Sequence, residues 1–268
     1  MNKHQLSTIY GWQNCPESVR RTLNDIITYY RQTLGKNLVG FYLHGSLSMG
    51  CFNPSSSDLD FLAVVQRNLP IDEKKAIIDY LLHNCDLHTE MSIVTIESIK
   101  NMEYPTPFEL HYNHDHREQY RNGMVDLTVK RYDKDMALHF EVLRQRGICL
   151  YGKSIDEVFP EVSRELCIAS LNNELRWINE RFNTLPVTYI VLNPCRALAF
   201  LSEGRFMSKK EGGEWALTYL PAKFHDTISR ALAIYIGAED IEHPGDDILH
   251  DIVDYAREEI IQYLEKHR

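Results

Sequence analysis

The chain contains no C-x-x-C pair, and its six cysteines (Cys15, Cys51, Cys85, Cys149, Cys167, Cys195) are scattered along 268 residues. That spacing indicates neither a zinc site nor a disulfide framework, and the cysteines read as reduced packing residues. Long apolar runs are missing too. Stretches such as Phe61–Val65 and Tyr189–Leu192 fall far short of the roughly 20 residues that span a bilayer. The first residues, Met1 to Leu6, lack the apolar stretch of roughly 7–15 residues of a secretory leader, so a cytoplasmic protein without membrane association is expected. Positive charge is in deficit, 29 Lys+Arg against 38 Asp+Glu, a formal charge of −9. Such a surface does not neutralise a long phosphate backbone, which argues against a nucleic-acid partner, whereas an acidic field favours cationic ones. No low-complexity segment or internal repeat is present. What remains is an ordinary globular composition, 44% hydrophobic and 25% charged, with length enough for two modest domains.

Apolar residues at helical spacing (Val19, Leu23, Ile26, Ile27, Tyr30, Leu34) predict an amphipathic helix from Pro16 to Leu34, stopped by Gly35. Leu38–Leu43 and Leu59–Val65 are short apolar runs bounded by turn formers, as buried strands are. The segment between them is too short for a long crossover helix and fits one helical turn plus a loop. Asp72–Asn84 reads as a helix and Leu87–Thr95 as a third strand. The pattern then loosens through Pro105, Pro107 and a polar stretch from His111 to Gly123, before Asp135–Arg146 resumes helical periodicity and Gly147 ends it. Beyond Gly152 only helices are predicted, over 160–182, 187–203, 209–219, 222–236 and 246–266, broken at Pro186, Gly204, Pro221 and Gly245. The expected architecture is α+β: an N-terminal α/β domain with a small mixed sheet over residues 1–155, followed by an all-helical bundle over 156–268.

The informative stretch is Gly45-Ser46 followed by Ser57-Asp58-Leu59-Asp60, held between two apolar strands. Period-two alternation turns Asp58 and Asp60 to one face and Leu59 to the other. Two adjacent carboxylates repel unless a cation sits between them, and Mg²⁺ favours a few carboxylates together with substrate phosphates. A nucleoside triphosphate site follows. Gly45 allows close backbone approach to a phosphate, and Ser46, with Ser57, can donate to one. Glu90 shares a face of the third strand with His88 and Ser92. If the second and third strands are neighbours, Glu90 joins the aspartates, able to bind metal or to take a proton from an attacking hydroxyl. Each piece alone is commonplace, since a Gly-Ser dipeptide is usually a turn and an Asp-x-Asp a solvated strand end. Their order, spacing and flanking strands carry the inference.

Gly45-Ser46 and Asp58-Leu59-Asp60 resemble the signature of the nucleotidyltransferase superfamily. More narrowly, the chain resembles the bacterial adenylyltransferases that modify streptomycin and spectinomycin. The N-terminal likeness spans about residues 38–95, where Thr89–Val94 corresponds to the family's Leu-Glu-Val-Thr-Val-Val strand. The C-terminal likeness runs from Ile190 to Gly237 through Val191-Leu192, Arg196, Ser208-Lys209, Trp215-Ala216-Leu217, Leu220-Pro221 and Tyr235-Ile236-Gly237. The resemblance implies ATP and Mg²⁺ as cofactors, Asp58, Asp60 and Glu90 as metal ligands, and Glu90 as general base. It implies ATP binding by Gly45, Ser46, Ser57, Arg196, Lys209 and Tyr235, the helical domain completing the ATP and acceptor sites. The reaction it implies is transfer of AMP to a hydroxyl of a small cationic acceptor, foremost an aminoglycoside-type antibiotic, by a monomeric enzyme. Within the same superfamily stands AMPylation of a protein partner, as by nucleotidyltransferase antitoxins. Outside enzymology stands a nucleotide-binding regulator that no longer catalyses.

The departures lie where substrate is chosen. Before the helix bearing Arg196 the family carries Asp-Glu-Arg-Asn, whose first acid contacts the drug, and this chain has Pro186-Val187-Thr188-Tyr189. Trp177 matches a tryptophan of streptomycin-modifying members, yet their acid a few residues later is Phe182 here. Trp177 is therefore expected either to touch substrate, beside Glu90, or to be plain helical core. His111, His114 and His116 form a cluster without the second ligand pair of a zinc motif. Pro105–Leu110 reads as an ordered loop, lining the acceptor pocket or simply on the surface. Glu239–Glu242 is expected in a solvated turn, and Asp246-Asp247 in the first turn of the last helix, where negative charge is favoured.

Overall fold

The computed structural model of the chain describes residues 9–238 and 244–267, so the expected turn at Glu239–Glu242 and the opening residues Met1 to Leu6 lie outside the described residues. Two compact units are present, one over residues 9–162 and one from Ser163 onward.

The first unit is built on a five-stranded mixed sheet. In chain order its elements are α1 (Glu17–Leu34), β1 (Leu38–Leu43), α2 (Gly45–Ser48), β2 (Leu59–Val65), α3 (Ile71–Asn84), β3 (Thr89–Thr95) and α4 (Ile96–Lys100). There follow β4 (Thr106–Phe108), β5 (Leu110–Asn113), α5 (Arg117–Arg121), β6 (Arg131–Asp133), α6 (Met136–Arg146), β7 (Ile148–Gly152) and α7 (Ile155–Val158). The strand order is β5-β3-β2-β1-β7, with β2 and β3 parallel and every other pair antiparallel. β4 and β6 form a separate two-stranded ribbon.

Alternation along β2 decides how the sheet is covered. Leu59, Phe61, Ala63 and Val65 belong to the core under α1 and α3, where Tyr30 meets Phe41 and Phe61 edge-on at 5.6 and 6.1 Å and Phe41 stacks on Phe61 at 4.5 Å. α1 is amphipathic as its periodicity predicts, with Val19, Leu23, Ile26, Ile27, Tyr30 and Leu34 buried. Tyr29 on its flank stacks on Tyr80 of α3 at 3.9 Å. On the opposite face Tyr42 packs against Phe159, which in turn meets Phe140 of α6. The same alternation leaves Asp60 on that second face, at the end of the sheet where apolar cover gives way to His44 and His139.

Helices and central strands lie close to their expected bounds, but four short strands were not expected. β4, β5 and β6 occupy the stretch read as loop and irregular chain, and β7 follows the Gly147 stop. Each is three to five residues long. Strands that short are fixed by the neighbour they pair with rather than by local pattern. β5 adds to the free edge of β3 and β7 to the free edge of β1.

The second unit is helical: α8 (Arg164–Glu180), α9 (Val187–Glu203), α10 (Lys209–Tyr219), α11 (His225–Tyr235) and α12 (Asp246–Lys266). α9 is its centre and buries eleven residues, among them Ile190, Leu192, Cys195 and Phe200. α10 approaches it closely because Gly212 and Gly213 face it: a Cβ on Gly212 would lie 2.8 Å from Arg196 Cγ. Asp246 and Asp247 do occupy the first turn of α12. None of the six cysteines forms a disulfide, and five of them are buried. Among the described residues no helix is long and apolar enough to cross a membrane.

Candidate active site

Gly45 opens the single turn α2 directly after β1, with φ +66°. A Cβ at this position would stand 1.9 Å from Asp60 Oδ2, so the residue must be glycine both for its backbone and for the carboxylate lying on its Cα. The His44 amide donates to the Asp60 carbonyl at 3.0 Å, tying the turn to β2. Ser46 Oγ is buried and meets no hydrogen-bond partner, an orphaned hydroxyl one residue after Gly45. Ser57 Oγ accepts from the Asn53 amide at 3.1 Å, which closes the loop leading into β2 and leaves the hydroxyl proton to be donated elsewhere.

The parallel register of β2 and β3 sets Asp60 directly opposite Glu90. Neighbouring strands run about 4.8 Å apart, and two ionised carboxylates about 5 Å apart repel by on the order of 3 kcal/mol in an effective dielectric near 20. Burial pushes the Glu90 carboxyl above the ordinary glutamate range. The neighbouring His139 opposes that shift, Asp58 and Asp133 add to it, and the Asn113 amide again opposes it. Asn113 Nδ2 donates to Glu90 Oε2 at 3.0 Å, which fixes the carboxylate's orientation. Asp58, just before β2, lies 3.7 Å from His88 Nδ1, and His88 stacks on His114 at 4.1 Å. Burial and the His139 ring hold the imidazole of His44 well below its usual pKa, so it stays neutral behind the turn.

This donor set suits a hard cation and phosphate oxygens. Among the described residues no three His, Cys, Asp or Glu side chains already form a metal cage. A Mg²⁺ site that draws one or two protein carboxylates and completes itself with substrate phosphates requires no such cage. The orphaned Ser46 hydroxyl, next to the glycine on which the Asp60 carboxylate lies, is a donor suited to a phosphate oxygen. His111, by contrast, is engaged with Ser92 Oγ at 3.0 Å.

In the helical unit Arg196 and Lys209 come together. Arg196 Nε donates to the Met207 carbonyl at 2.8 Å, two residues before Lys209, and its Nη1 donates to Asn193 at 3.2 Å. Lys209 is the first residue of α10, whose cap Ser208 forms a reciprocal pair with Glu211. Tyr235 ends α11 and is half-buried. Trp177 is 39% exposed on α8, which rules out plain helical core; it is Phe182 that is buried, stacked on His250 at 3.6 Å.

The sequence did not point to Asn113, Asp133 or His139 as neighbours of Glu90, nor to His44 beside His139. The alternation Leu110-His111-Tyr112-Asn113, with Leu110 and Tyr112 buried, is the one local signal that could have found the first of them. Asp133 and His139 reach the site only through the fold of β6 and α6.

The fold matches that of the spectinomycin adenyltransferase AAD(9) from Enterococcus faecialis, solved with ATP and spectinomycin, at a TM-score of 0.78 and 20% identity, covering 90% of this chain and 98% of that one. The class is thus a nucleotidyltransferase fold followed by a helical domain. Residues 157–259 match the family model of the aminoglycoside adenylyltransferase C-terminal domain. Relatives that match 92% and 74% of the chain are named adenylyltransferases. The aminoglycoside (3'') (9) adenylyltransferase of Klebsiella pneumoniae is 25% identical over 263 residues, 92% of this chain and 97% of its own. The spectinomycin 9-adenylyltransferase of Staphylococcus aureus is 25% identical over 206 residues, 74% and 77%. In particular, then, the chain is similar to the aminoglycoside and spectinomycin adenylyltransferases, and its residues 157–259 match their C-terminal domain.

Proposed function

We infer that the chain is an ATP- and Mg²⁺-dependent adenylyltransferase that moves AMP onto a hydroxyl of a small cationic antibiotic, streptomycin or spectinomycin foremost, and so confers resistance. The observation that carries this is the cross-strand pairing of Asp60 with Glu90, with the Gly45–Ser46 turn lying against the Asp60 carboxylate. Relatives matching 92% and 74% of the chain bear adenylyltransferase activity in their names, which supports the reading. The enzyme works as a monomer in the cytoplasm.

Asp58 and Asp60 are the carboxylates that hold the metal, with Glu90 at their side. Bound Mg²⁺ would offset polyphosphate charge and the charge developing on the departing pyrophosphate. Gly45 lets the chain approach the triphosphate, and Ser46 and Ser57 donate to its oxygens. Arg196 and Lys209 supply positive charge from the helical unit, with Tyr235 as a further contact to ATP. Glu90 takes the proton of the acceptor hydroxyl; that oxygen bonds to the α-phosphorus, the bond from it to the β-phosphate oxygen breaks, and pyrophosphate leaves. A carboxyl raised above its usual range by burial is a stronger base than a solvated one, and Asn113 keeps it aimed. Trp177, exposed on α8, is the candidate contact to the acceptor in the helical unit.

The test is transfer of labelled AMP from ATP to streptomycin and to spectinomycin by the full chain. Glu90→Gln is expected to slow turnover by about 10²–10⁴-fold, the usual worth of a positioned base, and Asp60→Asn to abolish the metal-dependent rate. Transfer that persists in both variants removes the site assignment. Label arriving on a co-expressed protein, with neither antibiotic modified, moves the acceptor to a protein side chain.

A further inference from the structure

Four side chains of the helical unit form a row of two rings with a cation at either end. Lys209 Nζ lies over the Tyr189 ring, 4.7 Å from its centroid. Tyr189 meets Trp177 edge-to-face at 5.7 Å, and the Arg181 guanidinium covers the Trp177 ring at 5.5 Å. The Tyr189 ring is held at its far end as well, where its hydroxyl donates to Glu174 Oε1 at 3.3 Å. Glu174 and Trp177 are spaced at i and i+3 on one face of α8, and Arg181 is the residue that caps its C-terminus. The row therefore hangs from two helices, and only Lys209 comes from a third.

A lysine is a point charge on four flexible carbons, and immobilising it costs rotamer entropy each time it captures an anion. Two devices here restrict Lys209 in advance. Its backbone is fixed by the Ser208–Glu211 capping pair and by Arg196, which holds the Met207 carbonyl. Its ammonium is drawn to the face of a ring whose far end Glu174 holds and against which Trp177 packs.

We propose that Tyr189 is a positioning residue: with its hydroxyl anchored on Glu174, its ring holds the Lys209 ammonium ready for the polyphosphate of ATP. This rests on Lys209 binding ATP, as argued above. The gain is preorganisation, so it is read in ATP affinity and not in the chemical step. Trp177 does not serve in its place, because Arg181 covers its face.

The experiment is a double-mutant cycle on the full chain, read by calorimetric titration of ATP with Mg²⁺ and, as a phosphate-free control, of adenosine. Lys209→Ala is expected to weaken ATP and leave adenosine unchanged. Tyr189→Leu should weaken ATP by about two- to fivefold, the range expected for a cation–π contact at a partly exposed site, again without effect on adenosine. Tyr189→Phe, which keeps the ring, should stay within about twofold of the parent. Tyr189→Leu added to Lys209→Ala should weaken ATP no further, since the ring then has nothing to hold. Tyr189→Met is a second ringless variant, read in the same way should the leucine variant not fold. Equal losses for ATP and adenosine, or additive losses in the double variant, overturn the positioning role. If Lys209→Ala weakens ATP while the ringless variants do not, Tyr189 alone is wrong. If Lys209→Ala changes nothing, Lys209 is not an ATP ligand, and the proposal falls with that reading.

Discussion

Gly45 carries two constraints at once, and each has a measurable consequence. Its φ of +66° costs an L-residue roughly 1–2 kcal/mol, and the missing Cβ is the space taken by the Asp60 carboxylate. Gly45→Ala is therefore expected to lower stability by at least about 1 kcal/mol in urea unfolding and to reduce AMP transfer far more than unfolding accounts for, because Asp60 must move. Activity equal to the parent would mean that the carboxylate has another place to lie. At this scale the sequence was informative: Gly45, Ser46, Asp58, Asp60 and Glu90 were all selected on residue type, spacing and strand alternation. It was silent on Asn113, whose amide orients Glu90 from 23 residues away in the chain. An asparagine has no signature as a carboxylate's partner until a strand pairing brings the two together.

Among elements, the contrast lies between those that carry their own signal and those that borrow it. α9 and α10 could be delimited from periodicity and from the Gly and Pro stops around them, since a helix satisfies its hydrogen bonds within itself. β5 and β7 could not, because a strand of four or five residues exists only through its neighbour. The start of α10 provides a test of local control. Ser208 Oγ accepts from the Glu211 amide at 3.1 Å, and Glu211 Oε2 accepts from the Ser208 amide at 2.8 Å. Ser208→Ala should cost about 0.5–2 kcal/mol in equilibrium denaturation, and Ser208→Asn, which can still cap, should recover most of it.

For the molecule as a whole, burial of neutral imidazoles makes stability depend on pH. His111 is held below its usual pKa chiefly by burial; Asp133 opposes this, while His116 and Arg131 add to it, and His44 is lowered by burial and His139. An unfolded histidine takes up its proton near pH 6.5, whereas these folded ones do so only at lower pH. The unfolded state then binds more protons, so stability should fall as pH drops below about 6.5 and level off above it. Urea midpoints at pH 7.5, 6.5 and 5.5 would show the decline, and His111→Gln should make it shallower. An unchanged slope in that variant would assign the acid sensitivity to His44 or to other groups. The net charge of −9 acts at the same scale: it disfavours a polynucleotide acceptor, yet it leaves Pro186 and Phe182 where the resembling enzymes carry acids.

The sequence by itself determined which residues can carry chemistry and in what order the helices and central strands run, because period, turn residues and glycine are properties of neighbours along the chain. Only the tertiary structure decided that β2 and β3 lie side by side in parallel, which sets Glu90 opposite Asp60. It likewise decided that Asn113 and His139 lie near that carboxylate, and that Trp177 faces outward while the Tyr189 ring lies under the Lys209 ammonium. Those contacts join segments far apart in the chain, and they arise from strand pairing and helix packing, to which local periodicity gives no address.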